Sequence, residues 1–203
     1  MHKIAVVAVL LGLFIGPVLA QNQPQEVRTH VRGTVERLDG HTLVVKSRDG
    51  ASVSVTLAPN YTVSGVVKKS VSDIKPGDFV ASTSVKGTDG KLHAVEVHFL
   101  PQNLRARIEG QTPTDLIPNS LMTNAIVSGT AAGADGEVLK VSFKGSEAEV
   151  VVGPDVPVVA YAPGEPGLLK PGAAVSMIAE KMPDGMLTAA RVTAEKDGVK
   201  PPM

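Results

Sequence analysis

The chain repeats itself. "DIKPGDFV" at Asp73–Val80 returns as "LLKPGAAV" at Leu168–Val175. Around it, Pro59 falls on Pro154, Lys75-Pro76-Gly77 on Lys170-Pro171-Gly172, Asp89-Gly90 on Asp184-Gly185, and Leu92 on Leu187, all in one register. Upstream, "VRGTVERLDGHTLVVKS" from Val31 aligns with "VSGTAAGADGEVLKVSF" from Val127, which puts Gly33 on Gly129 and Asp39-Gly40 on Asp135-Gly136. Scattered Gly and Pro matches do not keep register over a whole unit, so the pattern reads as an internal duplication. The two repeats cover residues 27–100 and 124–197.

Each repeat has the period of a half-buried strand. Val53, Val55 and Leu57 alternate with Ser52, Ser54 and Thr56, and Ala148, Val150 and Val152 alternate with Glu147 and Glu149. Asp-Gly pairs between such runs suit tight hairpins, whose central residues take positive φ. In the Lys-Pro-Gly turns, Pro presets φ and Gly accepts the positive φ of a type II turn. Gly33 and Gly129 sit inside first strands, where Gly marks a bulge or a sharp bend. Three hairpin-linked strands, a longer connection (Asn60–Lys75 or Asp155–Lys170), then a last hairpin is the strand order of an OB-type barrel. The expected fold is therefore all-β: two tandem OB-like antiparallel β-barrels. A β-sandwich is the structural alternative.

Between the repeats, residues 101–123 contain Pro101, Pro113 and Pro118 but also Leu104, Ile108, Leu116, Ile117, Leu121 and Met122. A segment this apolar is expected to be an ordered linker that clamps the barrels together. Residues 198–203 read as a solvated tail. Residues 1–20 read as a cleaved signal peptide: Lys3, then the apolar run Ile4–Val18, then small residues Val18 and Ala20 at a cleavage site. An uncleaved anchor is the alternative for that segment. Beyond it no run is long enough to span a membrane as a helix.

Composition narrows the function. Cysteine is absent, which removes disulfides and thiolate metal sites. Lys and Arg total 20 against 20 Asp and Glu, and Trp is absent with only two Tyr and four Phe. A neutral chain poor in aromatics has neither the electrostatic pull nor the stacking platforms for nucleic acid. The first repeat is net positive and the second net negative, a modest asymmetry that salt screens.

No nucleophile–base setting, phosphate-cradling loop or dinucleotide fingerprint is legible, so catalysis is not expected. Glu147 and Glu149 are paired acids on the polar side of a strand. The histidines are His30, His41, His93 and His98 beyond the signal. His93 and His98 are five apart on a strand and are expected on opposite faces, which excludes a simple two-histidine site. Glu96 and His98 share a face. Their repeat counterparts, Arg191 and Thr193, suggest that this face is solvated. Met182 and Met186 flank a hairpin tip and could serve copper. No residue is assigned as a catalytic, cofactor or metal ligand.

The stretches "VRGTVERLDGHTLVVKSRDG", "SDIKPGDFV", "AVEVHF", "DLIPNSLMTNA" and "KDGVKPPM" span nearly the whole chain after the signal. In them the chain resembles a family of exported bacterial proteins with a duplicated OB-like domain of unknown function. Members are often labelled metal ABC transporter permeases. The family linker often reads "EGHRPWDL", whereas this chain has "EGQTPTDL", with Gln111 and Thr114 in place of His and Trp. The resemblance implies a periplasmic or secreted address. The expected function is a non-enzymatic binding or structural module with a periplasmic protein or envelope component as partner. A copper- or zinc-binding protein is the alternative, and an enzyme of unknown class the second. Export with cleavage after Ala20 predicts that mass spectrometry of the secreted protein finds Gln21 at its start; a mature product retaining Lys3 would reject it.

Overall fold

A computed structural model describes residues 27–201, so the signal-peptide reading lies outside the described residues. The chain is almost entirely β. Its strands are β1 (Val27–Asp39), β2 (Thr42–Ser47), β3 (Ser52–Lys69), β4 (Phe79–Lys86), β5 (Leu92–Phe99), β6 (Gly110–Thr114), β7 (Ser120–Gly133), β8 (Gly136–Phe143), β9 (Ser146–Val152), β10 (Val158–Pro163), β11 (Ala174–Lys181) and β12 (Leu187–Ala194). The one α-helix among the described residues, α1, is a single turn at Arg105–Ile108. No helix among them is long and apolar enough to cross a membrane.

Strand pairing closes on itself in two places. The meander β1–β2–β3 continues from β3 to β12 through a parallel ladder, Leu187 beside Val55 and Ala194 beside Gly65, then through β11 back to β1. The meander β7–β8–β9 likewise continues from β9 to β5 in parallel, then through β4 back to β7. Each circuit has its own interior. Val35, Leu43, Val45, Val55, Val175 and Val192 fill the first. Val80, Val97, Val127, Leu139, Val141 and Val150 fill the second.

This corrects the expected partition. Residues 27–100 do not close a barrel alone, nor do residues 124–197. The hairpin β4–β5 follows β3 in sequence but pairs with β7 and β9, and β11–β12 pairs with β1 and β3. The cause is local. The stretch from Asn60, expected as a loop, stays extended as the second half of β3, rich in β-branched Thr62, Val63, Val66 and Val67. At about 3.3 Å per residue, Asn60–Lys69 carries the chain roughly 30 Å, away from β1. This half of β3 pairs antiparallel with β10, from Ser64 beside Pro163 to Lys69 beside Val158. β10 also runs parallel to β5, so the two circuits join in one sheet. The closing ladders at β3 and β9 are parallel, so the barrels are not purely antiparallel as expected.

The Lys-Pro-Gly turns behave as the sequence requires. Gly77 has φ 96° and Gly172 φ 88°. Gly77 N–H donates to Val127 O at 2.8 Å and Val127 N–H to Asp78 O at 2.9 Å; Gly172 N–H donates to Val35 O and Val35 N–H to Ala173 O, both at 2.9 Å. Val35 and Val127 therefore hold matched positions, each followed by a bulge, at Glu36 and Ser128. Gly33 then corresponds to Ala125, which pairs with Val80 as Gly33 pairs with Val175. The expected match of Gly33 to Gly129 is out of register because the β7–β8 hairpin is longer and turns at Ala134-Asp135, while β1–β2 turns at Gly40-His41. The two glycines also do different work. A Cβ on Gly33 would sit 2.0 Å from Lys46 O, whereas one on Gly129 would meet nothing within 4 Å.

Residues 101–123, expected as an ordered linker, contain strand as well. After α1, β6 forms a hairpin with β7, which itself begins at Ser120. Leu116 is buried, Leu104, Ile117, Leu121 and Met122 are half-buried, and Ile108 is exposed. Arg32 of β1 donates to Asp115 at 3.1 Å and Arg48 to the Leu116 carbonyl at 3.3 Å. The segment thus contacts both circuits. The solvated-tail expectation also needs correction: Val199 is half-buried and Pro201 buried, with Lys196 and Val199 bridged.

Because each circuit contains strands from both halves of the chain, damage to either should propagate. Leu43 and Leu139 are each fully buried, one per circuit. Leu43→Ala or Leu139→Ala should cost about 2–5 kcal/mol, and calorimetry should show a single cooperative transition moved to lower temperature in both variants. A variant that splits into one unchanged and one lowered transition would contradict this sharing of strands between the two circuits.

Candidate functional site

An open crevice of about 870 Å³ is the candidate site. It lies where the two circuits meet. Its lining comes from the end of β3 (Lys68, Lys69), from Val95 and Glu96 of β5, from Leu116 and Ile117, from Gly153–Val159 leading into β10, and from Gly198–Pro201.

A bulge shapes the β5 wall. Thr83 pairs with Glu96 and Ser84 with Ala94, so Val95 is the extra residue. Leu92, Ala94 and Val97 pack in the second core, which leaves Glu96 and His98 on the outer face. That face is not solvated, contrary to the sequence expectation. Glu96 is 6% exposed and His98 7%. The counterparts behave as expected: Arg191 is exposed and Thr193 half-buried. The bulge also overturns the facing rule for the histidines. His93 lies beside Val85 and His98 beside Ala81, so the two share a face. They still form no joint site, because His93 Nε2 lies 3.1 Å from both carboxylate oxygens of Asp89 at the hairpin.

Behind the crevice lies a buried polar set. Thr83 Oγ1 donates to Glu96 Oε1 at 2.8 Å. His98 Nε2 stands 3.3 Å from the same oxygen, but off the line of a hydrogen bond, and so remains a buried polar atom without a partner. The other ring nitrogen, Nδ1, is 3.2 Å from the Tyr161 hydroxyl. Burial, and then the charge of Glu96, push the Tyr161 phenol above its ordinary pKa. Much of the Tyr161 ring still meets solvent; it is the hydroxyl end that reaches His98. Ser82 and Ser84 bond to each other at 2.6 Å rather than to a base. A buried carboxylate with one well-formed hydrogen bond, opening on an apolar wall, is equipped to take a donor or a cation.

The other residues singled out in the sequence are dispersed. His30 contacts Arg32 at 2.6 Å, and burial, then the Arg32 charge, hold its pKa below the ordinary histidine value. His41 packs edge-on to Tyr61 at 5.9 Å. Glu147 is exposed, and Glu149 pairs with Lys91 at 2.8 Å. Met182 and Met186 are exposed at their hairpin. Among the described residues, no three His, Cys, Asp or Glu converge as a metal site. The crevice itself was missed in the sequence, since its walls come from five separated segments. The one available signal was Glu96 and His98 sharing a face. Compared with family models, curated proteins and solved structures, the chain shows no significant match to any of them.

Removing the one good hydrogen bond to Glu96 leaves a buried carboxylate undersatisfied. Thr83→Val should lower unfolding free energy by about 1–3 kcal/mol. Adding Glu96→Leu should restore part of that loss, because the unpaired charge is gone. Urea denaturation of the two variants checks the order; a double variant less stable than Thr83→Val alone would contradict it.

Proposed function

We propose that the protein is a non-enzymatic, exported binding module made of two OB-like barrels that arose by duplication and exchange their last hairpins. Support for duplication comes from the paired Lys-Pro-Gly turns docking alike on Val35 and Val127. The resemblance to exported proteins with a duplicated OB-like domain supports a periplasmic or secreted address. The ligand reading is carried by one observation: a single crevice walled by both halves of the chain, the linker and the C-terminal segment, with a buried carboxylate on its lining. Pockets of this size suit ligands of drug-like dimensions. An envelope component or periplasmic protein presenting such a group is the expected partner. A copper or zinc site has no converging donor set behind it among the described residues.

Nuclear magnetic resonance with a fragment collection tests the reading. Fragments that bind should shift the amide signals of Val95, Val158 and Val199 on the crevice. Fragments that bind only at the β11–β12 tip or other outer surfaces would sink the crevice as the ligand site.

A further inference from the structure

We infer that the crevice recognises the free amino terminus of a short peptide, with Glu96 as the counter-ion of its ammonium group. This inference rests on the reading of the crevice as the ligand site. Glu96 is a buried carboxylate whose ion-pair contact among the described residues is His98 Nε2 at 3.3 Å, a charge match only when the imidazole is protonated. No Lys or Arg forms an ion pair with it among the described residues, and its contact to His98 lacks hydrogen-bond geometry. Oε1 accepts from Thr83, and the buried side-chain polar atom left without a hydrogen bond beside it is His98 Nε2. A buried charge is tolerated when paired and hydrogen-bonded. An ammonium group supplies both charge and three donors in a compact head.

The rest of the lining fits the remainder of such a ligand. Val95, Val156 and Val199 offer apolar wall to a short stem. Lys68, Lys69 and Lys200 stand exposed on the same lining, and none of them is ion-paired among the described residues. Asp155 is the other acid on the lining and is exposed. A buried carboxylate with several exposed lysines around it repels a simple cation at long range and a simple anion at short range. A zwitterion satisfies both: ammonium inward at Glu96, carboxylate outward at the lysines. The crevice, about 870 Å³, has room for a tripeptide.

The test is a titration of the mature full chain, followed by amide signals, with tri-alanine, N-acetyl-tri-alanine and tri-alanine amide. Tri-alanine should shift Val95, Glu96 and Val158, and N-acetylation should weaken binding at least tenfold. Glu96→Gln should cause a similar loss for tri-alanine. Lys68→Ala with Lys69→Ala should weaken tri-alanine more than its amide. If N-acetyl-tri-alanine binds the crevice as tightly as tri-alanine, the ammonium inference is overturned while the crevice remains a ligand site. If none of the three shifts crevice signals, the inference is overturned and the fragment screen alone decides the crevice. The acetylation comparison is made on the unmodified protein, so it stands even where Glu96→Gln does not fold.

Discussion

Everything distinctive in this molecule depends on β3 refusing to end. A strand that stopped near Asn60 would let the following hairpin fold back on β1 and close a small barrel from one repeat. Instead the backbone hydrogen bonds of Ser64–Lys69 are satisfied by β10. An extended strand cannot reverse direction, so β4 and β5 are delivered to the other half of the chain. The same ladder brings β10 beside β5 and creates the wall of the crevice. One pairing thus sets the connectivity, ties the two cores together and places the candidate site.

The exchange also suits a chain with no cysteine. A module of about 70 residues buries a small fraction of its surface and is marginal alone. Disulfides are the common remedy in exported domains, and none is available here. Here topology stands in for a covalent staple: neither core can be completed without strands from the other half. The interiors are built from valine and leucine at the period-two positions, with β4 buried on both faces from Phe79 to Ser84. A strand buried on both sides is what one expects where an outer face is covered by a neighbouring segment rather than by water.

Much of the local structure was legible in the sequence. The alternation in "SVSVTL", the Asp-Gly hairpins and the Lys-Pro-Gly turns each name a conformation through the φ or the face they demand. What was not legible is pairing at long range. A hairpin closes on its own repeat or on the other with the same residues inward, so the periodicity is identical in both arrangements. The register of the first hairpin is not legible because Asp-Gly is a good turn signal in either place, and only the hydrogen bonds of Val35 and Val127 to the turns fix the match. The bulge at Val95 left no sequence mark, yet it reversed the facing of His93 relative to His98.

The site itself comes from broken symmetry. Glu96 and His98 have counterparts in Arg191 and Thr193, on the corresponding strand of the other circuit. Around the second circuit this outer face is covered: Glu96 and His98 are buried, and the Tyr161 hydroxyl lies 3.2 Å from His98 Nδ1. Around the first, Arg191 stays in water. A carboxylate is cheap on a wet strand and costly on a dry one. Glu96 on the covered strand is therefore a cost that packing alone does not offset. The covered strand thus carries glutamate and histidine where the open one carries arginine and threonine, and Glu96 lines the crevice between the circuits.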